Sequence, residues 1–241
     1  MQKSIKNGVS ILNNTMNKLE DYFWNYDNKL TIHKWHHYFK IYDRHFSKFI
    51  GKDPTILEIG VSQGGSLEMW NHYFNGQCTI YGVDNRSHCL KVPEQLGAKN
   101  IHVALGDQGS RKFWREYLKN KPRFDIVIDD DGHTMRQQII TYEELYDHVA
   151  DNGVYLCEDL HTSYWKEFGG GLNDPATFVE YSKNFIDMLN FHHIRDDVDD
   201  RYKKFRQSTE SIHYYDSIVV LEKTMDLKKP TATVNRGSYN F

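Results

Sequence analysis

No stretch of this chain approaches the eighteen or so consecutive apolar residues that a membrane-spanning helix needs, and the first residues, MQKSIKNGVSILNNTMNKLEDYF, lack the apolar centre of a secretory leader. An excess of positive charge is also missing. With 30 Lys and Arg against 33 Asp and Glu the formal net charge is −3, which disfavours binding driven by nucleic-acid phosphates. Cysteine is scarce: Cys78, Cys89 and Cys157 are odd in number and show no metal-type spacing, so a reducing, cytoplasmic location is expected. There is no internal repeat and no low-complexity linker, and only the tail reads as loose.

What is present is a globular composition, 39% hydrophobic and 26% charged over 241 residues, enough for one α/β domain with a modest extra segment. Aromatic residues reach 14%, with 16 Tyr, which suits a polar ligand that stacks, such as a sugar. Nothing in the composition excludes a homo-oligomer.

Residues 1–50 read as a helical cap. Trp35, Tyr38, Phe39, Tyr42, Phe46 and Phe49 recur at spacings of three and four before Gly51-Lys52-Asp53-Pro54 breaks the pattern. From Thr55 the rhythm becomes short apolar strand, turn, helix. Strands are expected at Thr55–Glu58, Thr79–Val83, Ile101–Ala104, Phe124–Ile128 and Gly153–Cys157, with helices over Ser66–Phe74, Met135–Val149 and Phe178–Leu189. Continuous apolar strands alternating with helices imply a parallel sheet covered on both faces. Ser211–Tyr214 and Ile218–Leu221 then read as an antiparallel hairpin closing that sheet. The expected domain therefore spans 51–223, and 224–241 reads as a loosely packed tail.

Open α/β sheets bind ligands at the carboxyl ends of their strands. The turn after the first strand, Glu58-Ile59-Gly60-Val61-Ser62-Gln63-Gly64-Gly65-Ser66, misses the G-x-G-x-x-G spacing of a dinucleotide site. A carboxylate at Glu58 would repel a pyrophosphate but suits a sulfonium and a free amino group. Asp84, closing the second strand, can accept ribose hydroxyls, and Asp107, after the third, can accept an adenine amino group. Any one of these acids could be a helix cap or a solubilising loop residue; together, with Gly60, Ser66 and Asp129, they form a candidate cofactor set. The pattern from about Thr55 to Glu222 resembles the class I S-adenosylmethionine-dependent methyltransferases. That resemblance implies a Rossmann-like, mixed seven-stranded sheet with helices on both faces.

Strand four ends Ile128-Asp129-Asp130-Asp131-Gly132-His133, and strand five runs into Glu158-Asp159-Leu160-His161-Thr162-Ser163-Tyr164-Trp165. Adjacent parallel strands bring these carboxylates together, where like charges repel unless protonated or bound to a cation. Hard divalent cations, Mg²⁺ or Mn²⁺, choose such oxygens. At this level the sequence is similar to the metal-dependent macrolide sugar O-methyltransferases of the mycinamicin and demethylmacrocin type. The resemblance implies Asp130, Glu158 and Asp159 as metal ligands and His133 as general base, with a carbohydrate acceptor. The family pattern Asp-Asp-Gly-Ser-His reads Asp129-Asp130-Asp131-Gly132-His133 here, so Asp130 and Asp131 both stand as candidates for the metal.

A metal lowers the pKa of a bound hydroxyl while a neutral histidine removes its proton, and in-line methyl transfer then depends on positioning. His161, Thr162, Tyr164 and Trp165 are candidates for substrate contact, and Gly169-Gly170-Gly171 for a mobile lid. Lys34 and His37 are candidates for substrate, and Tyr38 and Tyr42 for cofactor, although an aromatic helix packed on the core explains the same pattern. His192-His193 reads as solvated surface. A catechol or phenol O-methyltransferase keeps the same chemistry with another acceptor. An NAD-dependent oxidoreductase and a non-catalytic interaction module are the readings from other classes, separated respectively by cofactor fluorescence and by a cation at the strand ends.

Overall fold

The computed structural model describes residues 17–26, 30–196, 203–225 and 236. In chain order its elements are α1 (Lys18–Asn25), α2 (Tyr38–Phe46), β1 (Thr55–Ile59), α3 (Gly65–Tyr73), β2 (Thr79–Asp84), α4 (Val92–Leu96), β3 (Ile101–Leu105), α5 (Arg111–Tyr117), β4 (Phe124–Asp129), α6 (Met135–Leu145), β5 (Val149–Cys157), α7 (Phe178–Leu189), α8 (Lys203–Ser208), β6 (Thr209–Tyr215) and β7 (Ile218–Lys223). The strands form one seven-stranded sheet in the order β3-β2-β1-β4-β5-β7-β6. β1 to β5 run parallel, and β7 pairs antiparallel with both β5 and β6. This is the mixed sheet and closing hairpin expected from the sequence.

Alternation along the strands divides the core in two. Ile56, Ile80, Ile126, Ile128, Val154 and Leu156 pack against Phe39, Phe46, Trp70 and Tyr73 on one face. Leu57, Val83, Val127, Tyr155 and Cys157 pack against Trp114, Leu145, Phe178 and Phe185 on the other. Strands β1, β2, β4 and β5 bury residues on both faces, which explains their apolar runs, whereas the edge strand β3 buries only Ile101.

The N-terminal region departs from a continuous helical pattern. α1, stapled by a capping box between Asn17 and Glu20, and α2 are separated by residues 30–37, which are extended or turn. Trp35 lies in that turn, 54% exposed, rather than in the aromatic face of the helix. The helix expected over Met135–Val149 stops at Leu145, followed by a 3-10 turn, because Val149 already pairs with Phe124. A bulge between Phe124 and Ile126 and a left-handed Asn152 (φ 64°) absorb the extra residues of β5. The three glycines expected to form a mobile lid are hydrogen-bonded into their own loop in this structure. Gly170 N donates to Trp165 O and Gly171 N to Ser163 O, and a Cβ on Gly170 would lie 2.5 Å from Thr162 O. Of the expected tail, all but residues 224, 225 and 236 lies outside the described residues.

Candidate active site

The sheet reverses its strand order between β1 and β4, and a crevice opens there at the strands' carboxyl ends. Gly60 shapes it. Its φ is +97°, and a Cβ there would sit 2.0 Å from Asp130 O, so the turn after β1 can lie directly against the end of β4 only with glycine. Residues 31–35 cross above this turn and close one side; a Cβ on Gly65 would lie 2.4 Å from Thr31 O. The resulting cavity of about 440 Å³ is walled by Lys34, Trp35 and Tyr38, by Gly60 to Gln63 with Ser66, by Asn85 and Arg86, by Asp130 to His133, and by Glu158 and Asp159.

Side-chain oxygens of Asp130 and Asp159 and a ring nitrogen of His133 lie within 4.8 Å of one another, an arrangement able to hold a metal ion. Asp131, the other candidate, is not in this cluster. It lines the same crevice, and burial together with the Asp84 carboxylate raises its pKa to about 6 against the opposing pull of Arg86. His133 has a left-handed φ of 54°, an uncommon conformation for a non-glycine residue, and its carbonyl accepts from Thr162 Oγ1 (2.9 Å). Its Nε2 is 3.4 Å from Asp159 Oδ2 and 4.0 Å from Asp130 Oδ1. Burial lowers the His133 pKa, partly offset by Asp130 and Asp159, so the ring is neutral near pH 7. Tyr38 OH holds Asp159 through Oδ1 (2.8 Å).

Glu158 reaches the crevice from a buried position. Tyr42 OH donates to its Oε1 (2.6 Å), and Lys34 Nζ lies 3.1 Å from both oxygens. Lys34, itself buried, also donates to Asp130 Oδ2 and faces Glu58 Oε1 at 3.7 Å. Burial alone would lower the Lys34 pKa, but Asp130, Glu158 and Glu58 together hold it well above its ordinary value. Burial and the neighbouring Asp130 push Glu158 up against the pull of Lys34. Lys34 is thus the internal counter-cation of three carboxylates rather than a residue free to meet substrate.

Several other candidates sit elsewhere than expected. Tyr42 is fully buried and reaches the site from behind, through Glu158 and through its ring beneath Lys34 Nζ (5.8 Å), because it lies one helical turn behind Tyr38 on the packed face of α2. Asp129 faces the opposite side of the sheet, as alternation from Asp130 requires. Gln108 Nε2 (2.6 Å) and Tyr155 OH (3.1 Å) donate to it, and burial raises its pKa to about 8. Neither residue lines the crevice. Thr162 is buried and clips the backbone of Asp159 and His133 instead of facing substrate. His37 meets the hairpin tip at Asp216 O (3.0 Å).

Glu58 stands behind the glycine turn, accepting from Ser66 Oγ (3.0 Å) and Trp70 Nε1 (3.2 Å), and burial lifts its pKa to about 7 despite Lys34. Asp107 caps its own loop through Gly109 N (2.8 Å) and is not part of the lining. Asp84 is buried, with its oxygens accepting from Ser62 N, Arg86 N and the Arg86 guanidinium. Although burial raises it, those hydrogen bonds hold its pKa at about 2. Arg86, half-exposed and two residues beyond the strand end, was not among the candidates. Its signal is a basic residue following a strand-terminal acid. At the rim, His161 Nδ1 lies 2.6 Å from Ser217 Oγ, and its ring packs edge-on to Trp35 and Trp165. Trp165 and Tyr164 are exposed beside it. His192 and His193 are exposed, as expected.

No family model matches the chain. Among curated proteins it is 31% identical over 195 residues to demethylmacrocin O-methyltransferase of Streptomyces fradiae, covering 76% of this chain and 47% of that one. It is 32% identical over 196 residues to mycinamicin VI 2''-O-methyltransferase of Micromonospora griseorubida, again 76% and 47%. With the 8-demethyl-8-alpha-L-rhamnosyl tetracenomycin-C 2'-O-methyltransferase of Streptomyces olivaceus it shares 31% over 204 residues, 79% and 51%. The chain therefore spans about half the length of the curated relatives it matches. Among solved structures, the MycE methyltransferase from the mycinamycin biosynthetic pathway, in complex with Mg and SAH, superposes with a TM-score of 0.72 at 29% identity, covering 82% of this chain and 52% of that one. The chain is a homologue of sugar O-methyltransferases and has their Rossmann-like methyltransferase fold.

Proposed function

We propose that this homologue of the sugar O-methyltransferases transfers a methyl group from S-adenosylmethionine to a sugar hydroxyl with the help of a divalent cation. The observation that carries the reading is the convergence of Asp130, His133 and Asp159 at the mouth of a crevice whose opposite wall is the glycine turn. The donor set fits magnesium or manganese. Asp130, Asp159 and, at the same wall, Glu158 offer hard carboxylate oxygens, and the like charge they concentrate is what a cation relieves. Such an ion prefers oxygen, which leaves the His133 nitrogen free for proton transfer. When bound, the cation would supply Lewis acidity to the acceptor hydroxyl.

The rest is done by the chain. His133, kept neutral by burial, takes the hydroxyl proton at Nε2, and Asp159, 3.4 Å from that nitrogen, stabilises the imidazolium that results. Tyr38 fixes Asp159, and Thr162 fixes the backbone that carries both. Gly60 lets the cofactor approach the sheet, and Asp84 receives its ribose once the Arg86 side chain swings away. The rim of Trp35, His161 and Trp165 offers an aromatic surface for a carbohydrate rather than a nucleic acid, in keeping with a net charge of −3. The similar proteins act, by name, on mycinamicin VI and on a rhamnosyl tetracenomycin, which supports a glycosylated natural product as acceptor. Among the described residues no helix is long and apolar enough to cross a membrane, and the three cysteines are free, which supports a cytoplasmic enzyme.

Calorimetry with S-adenosylmethionine, followed by transfer of a labelled methyl group to a panel of glycosides and catechols, tests this reading. Binding, and magnesium-dependent labelling of a glycoside, is the expected result. Absence of cofactor binding with and without magnesium would overturn it, and labelling confined to catechols would replace the acceptor.

A further inference from the structure

On the far edge of the sheet, His45 of α2, His213 of β6 and Glu222 of β7 form a second cluster whose ligand atoms all lie within 4.8 Å of one another. His45 Nδ1 is 3.2 Å from Glu222 Oε1, and His213 Nε2 is 3.4 Å from Glu222 Oε2. Ligands bound at about 2.0–2.1 Å to a tetrahedral zinc sit about 3.3 Å apart, so each imidazole already stands at coordination spacing from the carboxylate they share. We propose that this cluster is a binding site for a zinc-class divalent cation, held by two imidazoles and one carboxylate with water in the remaining position.

The chemistry separates it from the crevice. Two imidazoles and one carboxylate select a borderline transition metal, whereas the crevice offers oxygens suited to magnesium. The surroundings are those of a metal ligand. With Nδ1 directed at the cluster, His45 Nε2 meets Tyr215 OH at 2.9 Å, the kind of second contact that fixes the tautomer of a ligating histidine. His45 is buried and held rigid, while His213 is 36% exposed and leaves a path for the ion and its water.

Two groups compete with the ion. Lys48 Nζ, 40% exposed, pairs with Glu222 Oε1 at 3.2 Å and must swing into solvent, a small loss for an exposed pair. Ser211 Oγ lies 2.9 Å from His213 Nε2 and donates to Glu222 Oε2 at 3.2 Å, and it must release that nitrogen. An ion here ties α2 to the β6–β7 hairpin. α2 is the helix that carries Tyr38 and Tyr42 to Asp159 and Glu158, so the ion would stiffen the support of the catalytic carboxylates from outside the site.

Titration of the full chain with Co²⁺, read by visible absorption, tests the site. An Asp130→Asn background removes a ligand of the crevice cluster and leaves this one intact. In that background one equivalent is expected to bind with the intense bands of a four-coordinate cobalt, and adding Zn²⁺ should displace it. Adding His213→Ala should remove that equivalent and its four-coordinate bands. Glu222→Gln should do the same and guards against misfolding of the first variant. An unchanged equivalent and spectrum in both double variants would overturn the proposal, as would the absence of any bound equivalent in the Asp130→Asn background. The result stands apart from the methyl-transfer reading, which is tested by cofactor binding and labelling.

Discussion

Tyr42 OH donates to Glu158 Oε1 across 2.6 Å, entirely within the protein, and joins the N-terminal helix to the end of the fifth strand. A hydrogen bond to a buried charged group is worth about 1.5–3 kcal/mol. Tyr42→Phe keeps the ring packed on Phe46 and Trp70 and removes only the hydroxyl. It is expected to lower stability by about that amount and to weaken magnesium binding, because Glu158 loses the donor that holds it. Urea unfolding and a magnesium titration check this; a variant equal to wild type in both would show that Glu158 is held by Lys34 alone.

Lys34 carries the converse prediction. It is the counter-cation of Asp130, Glu158 and Glu58, and breaking a buried pair by removing one partner costs about 3–5 kcal/mol. Lys34→Met should therefore be strongly destabilised in EDTA and should regain much of the loss when magnesium is added, since a ligand that binds only the folded state stabilises it. The melting temperature measured with and without magnesium reads this directly. A Lys34→Met protein as stable as wild type in EDTA would contradict the role.

Much of this arrangement was legible before the fold was known, for a definite reason. Strands buried on both faces must be continuous apolar runs, so Glu58, Asp84, Asp130 and Glu158 announce themselves as the charges that end such runs. What could not be read is side-chain direction. Asp129 and Asp130 are neighbours, yet alternation sends one to Tyr155 and the other to the crevice. After β5 the left-handed Asp159 (φ 56°) opens a 3-10 turn that buries Thr162 and exposes Tyr164, which no spacing rule conveys. Lys34 was marked for a ligand because an isolated lysine in an aromatic segment gives no hint of three acids more than twenty residues away in sequence.

His133 is assigned the proton transfer, a contribution of about 10²–10⁴-fold in rate. His133→Ala should lose turnover on that scale while keeping S-adenosylhomocysteine affinity near that of wild type, because the proposed function gives cofactor binding to the glycine turn and not to His133. Single-turnover kinetics beside calorimetry would show it. A turnover within a few-fold of wild type would assign the proton to another group.

Lys223 gives a pH signature remote from the crevice. Its ammonium is buried, donating to Val149 O at 3.0 Å and Tyr146 O at 3.3 Å, and burial lowers its pKa to about 8 from 10.5. Between those two values the unfolded chain binds a proton that the folded chain has released, so this group makes stability rise with pH across that window. Below about 8 both states are protonated and the burial penalty is constant. Denaturation midpoints from pH 7.5 to 10, compared with Lys223→Met, should show a rising component in wild type that the variant lacks. Parallel profiles would contradict the shift.

The most direct test of the central claim is a crystal of the chain grown with S-adenosylhomocysteine and Mn²⁺, examined for anomalous scattering. The account predicts a manganese peak among the carboxylates of Asp130, Glu158 and Asp159, Lys34 withdrawn from Asp130, and the nucleoside lying against Gly60. A clear map with the cofactor elsewhere, or with Lys34 still seated between the acids and no anomalous peak beside them, would contradict it.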